Sequence, residues 1–431
     1  MDRVSEQGGY LANRGRRQLL KAGPTSLAAA AAGGLLGARV ATAQPLGNTI
    51  PQVDRLAVRV VTDSYHHAFE RPLKIGSLEV QRAGFTVKPN EPPKRALQNE
   101  WGLALHLEST AGGQSRQVLI DFAWTSETLI NNMLILGIDP SKLDAIALSH
   151  GHYDHFGGMV GFLEANKGKL KKDLPFYLGS EECFCSRELN VPGNPGSFGA
   201  LDREAIKQAG LVVTFAERPS LLADHGFTTG FIAADSFERV LSPTRMSAGM
   251  QGALGCMPEG LSEKKRTAMN VPDDFEHEQA TVYHVKGKGL VIMTSCGHRG
   301  IVNSVKTAIK VSKIDKIHAI MGGFHLAPHT PEYQKQTLEE LQQFNADFLI
   351  PMHCSGETFI TMAANALGPR AIRSSTGTRF IFSAQALEFV QRFKPAALQP
   401  QPSLHLSLAN PVLLSGSSDI FCCNVIQLST G

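Results

Sequence analysis

Apolar segments of strand and helix length alternate along the chain from about residue 53 to residue 383. Residues 56–61 read Leu-Ala-Val-Arg-Val-Val and predict a strand, and residues 102–108 and 117–122 predict a hairpin that turns at Ala111-Gly112-Gly113. Further strands are predicted at 143–149, 280–285, 290–294, 317–321 and 348–351. Helical spacing of the apolar positions predicts helices at 128–136, 158–165, 302–311 and 331–344. Two successive runs of strands with intervening helices predict an α/β fold, a sandwich of two sheets with helices outside.

Two stretches depart from this pattern. Residues 186–275 carry Pro192, Gly193, Pro195 and Gly196 and few regular apolar positions, which predicts an insertion into the main domain. Residues 394–431 are rich in Pro, Leu and Ser and predict an irregular C-terminal tail. The main domain is therefore expected to span residues 44–393.

The N-terminus has the three parts of an export signal. Arg16-Arg17 precedes Leu19-Leu20-Lys21, an Ala/Gly-rich apolar stretch follows over residues 27–38, and Ala41-Thr42-Ala43 provides the small residues of a cleavage site. The paired arginines resemble the twin-arginine signal of bacteria. The apolar stretch is too short and too rich in Ala and Gly for a stable membrane span, which favours a signal peptide over an anchor. We expect residues 1–43 to be removed by the export machinery, leaving a periplasmic or secreted protein.

The charge balance changes once this signal is set aside. The chain has a formal net charge of +3, from 42 Lys and Arg against 39 Asp and Glu. Residues 1–43 hold six of the basic and two of the acidic residues, so the mature chain has a net charge of −1. No basic surface of the kind that binds nucleic acid is expected on such a chain, which points to a small-molecule substrate. Seven cysteines are too few for a disulfide-stapled scaffold, and their pairing cannot be read from the sequence.

One short string carries most of the candidate chemistry. Residues 149–158 read Ser-His-Gly-His-Tyr-Asp-His-Phe-Gly-Gly and follow a predicted apolar strand. His150 and His152, two residues apart in extended chain, project to the same side, while Asp154 and His155 follow where the chain turns. Three imidazoles and a carboxylate within six residues suit cations such as zinc, iron or manganese.

The string resembles the signature of the metallo-β-lactamase superfamily, and further motifs narrow the resemblance. They continue in order as Asp273-Asp274-Phe275, Glu278-Gln279-Ala280, Ser295-Cys296-Gly297-His298, Gly322-Gly323-Phe324-His325-Leu326 and His353-Cys354-Ser355-Gly356. Together they resemble the dihydropterin ribofuranosylaminobenzene-phosphate synthase-like branch of metal-dependent hydrolases, over about residues 56–382. This resemblance implies an αββα sandwich in which two mixed sheets pack together and helices cover the outer faces.

The resemblance, together with the number of donors a divalent ion needs, implies two metal sites. His150, His152 and His298 are the expected ligands of one ion. Asp154, His155 and His353 are the expected ligands of the other, with Asp154 also the candidate catalytic residue that orients the attacking water. Zinc is the favoured metal, with iron and manganese as alternatives.

A bridging aspartate, usual in the superfamily, is not found at the matching place, where Cys296 and His298 stand. A water alone can bridge the ions, Cys296 or His325 can be a ligand, or the site can hold a single ion. His325 is equally compatible with a metal ligand, a substrate contact and a structural residue. Asp121 and Glu278 are expected to support the ligands from behind, and Cys354 is assigned to packing.

The predicted function is that of an exported metal-dependent hydrolase acting on an ester, a lactone or a phosphoester. Asp121-Phe122-Ala123 replaces the Asp-Thr-Gly of the branch, and a Pro-Arg pair is missing after residues 230–232, which argues against a phosphorylated pterin precursor. Two alternatives remain open: an iron-bearing oxidoreductase of the sulfur dioxygenase type, and a non-catalytic module that keeps its metals for structure.

Overall fold

The computed structural model describes residues 38–84, 90–189, 193, 196–241 and 244–384. Residues 1–37 of the predicted export signal and the predicted tail at 394–431 lie outside the described residues. None of the described helices is long and apolar enough to cross a membrane.

The larger sheet has ten strands in the order β1-β12-β9-β8-β7-β6-β3-β23-β5-β4. Its strands are β1 (Arg39–Thr42), β3 (Arg55–Thr62), β4 (Leu73–Ile75), β5 (Leu78–Gln81), β6 (Ala104–Ala111), β7 (Gln114–Ile120), β8 (Ala145–Ala147), β9 (Pro175–Leu178), β12 (Val212–Phe215) and β23 (Arg379–Ser383). The predicted hairpin is confirmed as the antiparallel pair β6 and β7, with Gly112 and Gly113 at positive φ in its turn. The first strand, β1, pairs with β12 at the edge of the sheet, although its residues belong to the predicted signal.

The second sheet has seven strands, six of them in the order β13-β14-β19-β20-β21-β22, with β2 paired to β19. Its strands are β2 (Gln52–Val53), β13 (Ser220–Leu222), β14 (Gly226–Thr228), β19 (Thr281–Val285), β20 (Gly289–Thr294), β21 (Ile317–Gly323) and β22 (Phe348–Met352). The strands β20, β21 and β22 run parallel, so their carboxyl ends lie at one edge.

The helices form the outer layers of the sandwich. They are α1 (Ser126–Leu136), α2 (Tyr153–Phe156), α3 (Met159–Ala165), α4 (Arg203–Gln208), α5 (Ile301–Ser312), α6 (Pro331–Gln343) and α7 (Glu357–Leu367). Single 3-10 turns occur at Pro140–Lys142, Glu181–Phe184, Pro258–Gly260, Glu263–Lys265, His353–Ser355 and Gly368–Arg370. The hydroxyl of Thr125 accepts the Thr128 N–H at the start of α1, and Gly137 ends that helix in the left-handed conformation.

Three apolar clusters define the layers. One lies between the sheets, where Val58 and Val60 of β3 share a cluster with Val291 and Met293 of β20. A second joins the ten-stranded sheet to α1 and α3, and a third joins the seven-stranded sheet to α5, α6 and α7. The predicted αββα sandwich is therefore confirmed. The sequence pattern missed α7 as well as the strands β4, β5 and β23.

The boundaries predicted for the insertion were too wide. Within residues 186–275, α4, β12, β13 and β14 belong to the two-sheet sandwich itself. Outside the sandwich lie a four-stranded sheet of β10 (Ser186–Leu189), β11 (Gly196–Ser197), β15 (Thr244–Ser247) and β18 (Val271–Pro272), and a hairpin of β16 (Gly249–Gln251) and β17 (Leu254–Cys256). A disulfide joins Cys185, directly before β10, to Cys256 at the end of β17.

Candidate metal centre

The side chains singled out by the sequence motifs converge because each follows the carboxyl end of a strand. His150 follows β8, and Cys296 and His298 follow β20. His325 follows β21, and His353 follows β22. Strands β7 and β8 run parallel in one sheet and β20 to β22 in the other, so these ends bring residues distant in sequence to one place.

The first predicted ligand set is assembled in the structure. His150, His152 and His298 are buried, and their potential ligand atoms lie within 4.8 Å of one another. Burial lowers the pKa of His150 and of His298 well below the usual value, so both imidazoles are neutral and have a lone pair available to a cation. His152 Nε2 lies 2.8 Å from the Thr244 hydroxyl.

The second predicted set is assembled beside the first. Asp154, His155 and His353 also bring their ligand atoms within 4.8 Å of one another. Asp154 Oδ2 lies 3.6 Å from His155 Nε2 and 3.4 Å from His353 Nε2. Burial by itself raises the pKa of Asp154, but His155 and His353 together hold that pKa below its usual range, so the carboxylate is ionised. A negative charge surrounded by imidazoles is an arrangement that suits a dication.

The residues present fit metal ions. Buried polar atoms are almost always hydrogen-bonded, yet several atoms here have no hydrogen-bond partner among the described residues: Asp154 Oδ1, His150 Nε2, and both ring nitrogens of His298 and of His353. Imidazole and carboxylate are the donors that zinc and other borderline cations take, about four per ion.

Cys296 lies between the two ligand sets. Its Sγ falls in one group with His150 and His155, in another with His298 and His325, and in a third with His353 and Cys354. Cys296 Sγ is 3.5 Å from His155 Nε2 and 3.1 Å from Cys354 Sγ. The assignment of Cys354 to packing was therefore incomplete, since its thiol contacts the centre directly.

His325 is held at the edge of the centre. Its Nε2–H donates to the Leu241 carbonyl at 2.8 Å, and its ring centroid lies 3.9 Å from that of His298. The other ring nitrogen, Nδ1, has no hydrogen-bond partner within the part of the chain that the structure describes and is the atom left to bind a metal or a substrate.

A family model described as the metallo-β-lactamase superfamily matches residues 111–172, which include β8 and the string from His150 to His155. The chain therefore resembles the metallo-β-lactamase superfamily in this segment and shares that superfamily's fold. Divalent metal centres are typical of this superfamily, in agreement with the donor groups described above.

Individual relatives agree with this assignment. A 7,8-dihydropterin-6-methyl-4-(β-D-ribofuranosyl)-aminobenzene-5'-phosphate synthase of Methanocaldococcus jannaschii is 28% identical over 289 residues, which cover 66% of this chain and 88% of that protein. A second, uncharacterized protein of the same organism is 27% identical, and the match covers 57% of this chain and 82% of that protein. A crystal structure of a metal-dependent hydrolase of the β-lactamase superfamily superposes with a TM-score of 0.54 at 18% identity, over 75% of this chain and 98% of that one. The named relatives support an enzymatic activity on this fold.

Asp121, predicted to support the superfamily's histidine loop, lies directly behind it. Its carboxylate accepts the Ser149 N–H and the Ser149 hydroxyl, each at 2.8 Å, and lies 2.8 Å from His155 Nδ1. The Ser149 oxygen is in turn 2.9 Å from His150 Nδ1. A carboxylate can only accept, so it fixes the proton of His155 on Nδ1 and leaves Nε2 facing the centre.

Glu278 has a comparable role behind the loop after β20. Its carboxylate accepts the backbone N–H groups of His298 and Arg299 at 2.9 and 2.7 Å. Burial raises the pKa of Glu278 to about 7. The residue holds the backbone that carries His298 rather than the imidazole itself.

Sequence reasoning missed three elements of the site. Asp63 follows β3 and lies 3.8 Å from His353 Nδ1. Asp63 stands directly after a buried strand, as Asp121 does after β7. The residue that follows each predicted strand is therefore a sequence signal that could have identified it. Trp101 packs its indole on the His353 ring with centroids 4.9 Å apart and remains 50% exposed, so it forms part of the solvent-facing wall.

The third missed element is a buried network beneath the histidine loop. Arg187 pairs with Asp273 and contacts His277 Nε2 at 3.0 Å, and the same His277 nitrogen accepts the Gly151 N–H at 3.2 Å. Arg187 also donates to the carbonyl of Cys185, one end of the disulfide. No local pattern links these residues, because Arg187 and His277 are 90 positions apart.

Proposed function

We propose that the protein is an exported metal-dependent hydrolase that cleaves an ester, lactone or phosphoester bond of a small molecule. This proposal depends on two adjacent groups of buried metal-binding side chains. Several of their nitrogen and oxygen atoms have no hydrogen-bond partner among the described residues. His150, His152 and His298 would hold one divalent ion, and Asp154, His155 and His353 the other. Zinc suits this imidazole-rich set best.

Bound divalent ions lower the pKa of a coordinated water toward about 7 and polarise a carbonyl or phosphoryl oxygen. Asp154 is placed to orient the attacking water, because Oδ2 lies between His155 and His353 while Oδ1 has no hydrogen-bond partner. Ser149 holds His150 in one orientation, and Asp121 does the same for His155. His325 is available through Nδ1 at the edge of the centre.

The metal assignment is tested with His152→Ala and Asp154→Asn. His152→Ala removes a donor, and Asp154→Asn keeps the shape but removes the charge that offsets a dication. Each is expected to abolish turnover and to lower bound metal by up to one equivalent while the far-ultraviolet circular dichroism stays unchanged. His325→Ala separates two roles: loss of metal makes His325 a ligand, whereas intact metal with a raised KM makes it a substrate contact. Full metal content and full hydrolysis in both His152→Ala and Asp154→Asn would contradict the proposal.

The reaction class is tested by a substrate panel and by elemental analysis. We do not propose the reaction of the Methanocaldococcus jannaschii synthase for this chain. Residues 121–123 differ from the motif of that branch, and an export signal does not suit a biosynthetic step in the cytoplasm. Lactones, phosphodiesters, phosphomonoesters and β-lactams are assayed with protein purified without added zinc. Hydrolysis by zinc-loaded protein is the expected outcome, whereas iron content with oxygen uptake would identify an oxidoreductase instead.

Export is tested separately. Replacing Arg16 and Arg17 together by Lys is expected to retain the precursor in the cytoplasm, because the twin-arginine machinery reads that pair. N-terminal sequencing is expected to find Gln44 first. Cleavage there requires β1 to leave the sheet edge, since Ala43 is buried and its N–H donates to the Phe215 carbonyl. Unimpaired export of the double variant would reject the twin-arginine route.

A further inference from the structure

Cys296 and Cys354 form a close pair of thiols inside the proposed metal centre, on which this inference depends. Their sulfur atoms lie 3.1 Å apart, and both residues are 3% exposed. A disulfide bond is about 2.05 Å long, so the sulfurs need to approach by only about 1 Å to be joined. The described residues include one further free cysteine, Cys183, which is fully buried in the apolar cluster between the ten-stranded sheet and its helices.

The backbone is built to let these two thiols meet. Cys296 follows β20 and Cys354 follows β22, with β21 between them in the sheet. Gly323 ends β21, and a Cβ at this position would stand 2.8 Å from Cys354 Sγ and 2.1 Å from the Ser295 carbonyl oxygen. A side chain on the intervening strand would therefore keep the two sulfurs apart.

Each sulfur also faces the metal donors. Cys296 Sγ shares donor groups with members of both ligand sets, among them His150 and His353. Cys354 Sγ shares a donor group with Cys296 and His353, and it accepts the backbone N–H of His325 at 3.3 Å. A metal ion held by these groups would draw on the Cys296 lone pairs, and a disulfide has no thiolate to offer.

We propose that Cys296 and Cys354 are a redox pair whose oxidation to a disulfide and the loading of the metal centre exclude each other. Hydrogen peroxide is the oxidant. One thiol of the pair gives up its proton, its sulfur attacks one peroxide oxygen, and the O–O bond breaks to give a sulfenic acid and hydroxide, which takes that proton and becomes water. The second thiol then attacks the sulfenic sulfur, the S–S bond forms, and a second water leaves. Two thiols are oxidised and one peroxide is reduced in the balanced reaction.

The pair has a consequence for an exported enzyme. The disulfide between Cys185 and Cys256 belongs to an oxidising compartment. In such a compartment the Cys296–Cys354 pair stays reduced only while metal is bound. Metal must therefore be bound before export for the exported enzyme to be active.

The experiment compares metal-free and zinc-loaded full-length protein after treatment with hydrogen peroxide. Free thiols are counted, bound zinc is measured by elemental analysis, and the linked peptides are identified by mass spectrometry without reduction. Because the full-length protein also holds Cys422 and Cys423, the thiols are assigned by peptide. We expect the metal-free protein to lose the thiols of Cys296 and Cys354 as a disulfide, together with at least half of its zinc capacity, and to recover both on reduction. The zinc-loaded protein is expected to keep these two thiols, with Cys183 unmodified in both samples.

Cys354→Ser is the matched variant. It is compared with its own reduced, zinc-loaded form and is expected to form no intramolecular disulfide at Cys296. The proposal is overturned if Cys296 and Cys354 stay unlinked in metal-free protein, or if the disulfide forms equally with zinc bound. Reduced wild-type protein that binds no zinc at all would instead reject the proposed metal centre, so the two failures are distinguishable.

Discussion

Asp121→Asn gives a sharp test of how the histidine loop is held. Asparagine has the shape of aspartate and tolerates the left-handed backbone that Asp121 adopts, with φ of 62°. Its oxygen can still accept the Ser149 N–H, and its NH2 group can donate to the Ser149 hydroxyl and to His155 Nδ1. The number of hydrogen bonds is thus preserved, and we expect the variant to fold.

The change acts on the tautomer of His155. The wild-type carboxylate accepts a proton from Nδ1 at 2.8 Å and leaves a lone pair on Nε2. An amide NH2 requires a lone pair on Nδ1, which puts the proton on Nε2, the nitrogen that faces Asp154 and Cys296. A hydrogen bond to a charged group contributes about 1.5–3 kcal/mol, which corresponds to about a 10- to 150-fold loss of affinity for the ion at this position.

The assay is a titration of the metal-loaded protein with a competing chelator, followed by elemental analysis. We expect the ion held by Asp154, His155 and His353 to be lost at lower chelator concentration in Asp121→Asn, with hydrolysis falling in parallel. Ser149→Ala is the control for this ion, because it removes a hydroxyl contact to Asp121 and leaves the His155 tautomer unchanged, while its lost contact to His150 Nδ1 acts on the other ion. Wild-type affinity for both ions in Asp121→Asn would refute the tautomer argument.

Three further predictions concern the pocket wall and stability. Trp101→Ala is expected to raise KM for substrates with apolar groups by about 2- to 10-fold, with less effect in Trp101→Phe; an unchanged KM in steady-state kinetics would remove Trp101 from the wall. Burial lowers the pKa of His106 to about 4 from 6.5, so its neutral form stabilises the fold fully above pH 6.5 and this contribution, at most about 3 kcal/mol, is lost as the pH falls toward 4. His106→Gln should therefore flatten the pH dependence of urea unfolding in that range, and a curve parallel to the wild type would count against it. Joint replacement of Cys185 and Cys256 by Ser is expected to lower the unfolding free energy by up to about 4 kcal/mol, as reductant should do in the wild type; equal thermal stability of both proteins would contradict this.

The prediction of the fold from the sequence succeeded where local pattern and tertiary environment agree. The strands β3, β6, β7 and β20 to β22 are strongly apolar and bounded by turn residues, so their periodicity identified them. The helix α7 was missed although its sequence, Glu-Thr-Phe-Ile-Thr-Met-Ala-Ala-Asn-Ala-Leu, suits a helix, because it follows directly on the motif around His353. The extent of the insertion was overestimated because β12 to β14 are only three or four residues long and are stabilised by neighbouring strands.

The sequence alone determined which residue types could bind metal. Four of the candidate ligands lie within six consecutive residues, so the covalent chain itself keeps them close together: His150, His152, Asp154 and His155. The assignments of His298 and His353 rested on strand ends and on the resemblance to a family, and the structure places both beside that string.

Tertiary structure decided everything that depends on contacts between distant segments. Asp63 meets His353 across 290 positions, and Cys296 meets Cys354 across 58. Such contacts arise when the ends of strands from one sheet or from both sheets are brought to one edge, and no periodicity along the chain records which ends will meet. The arrangement of Cys296 between two ligand sets, and its distance from Cys354, therefore follow from the packing of the sandwich and not from the motif that contains each residue.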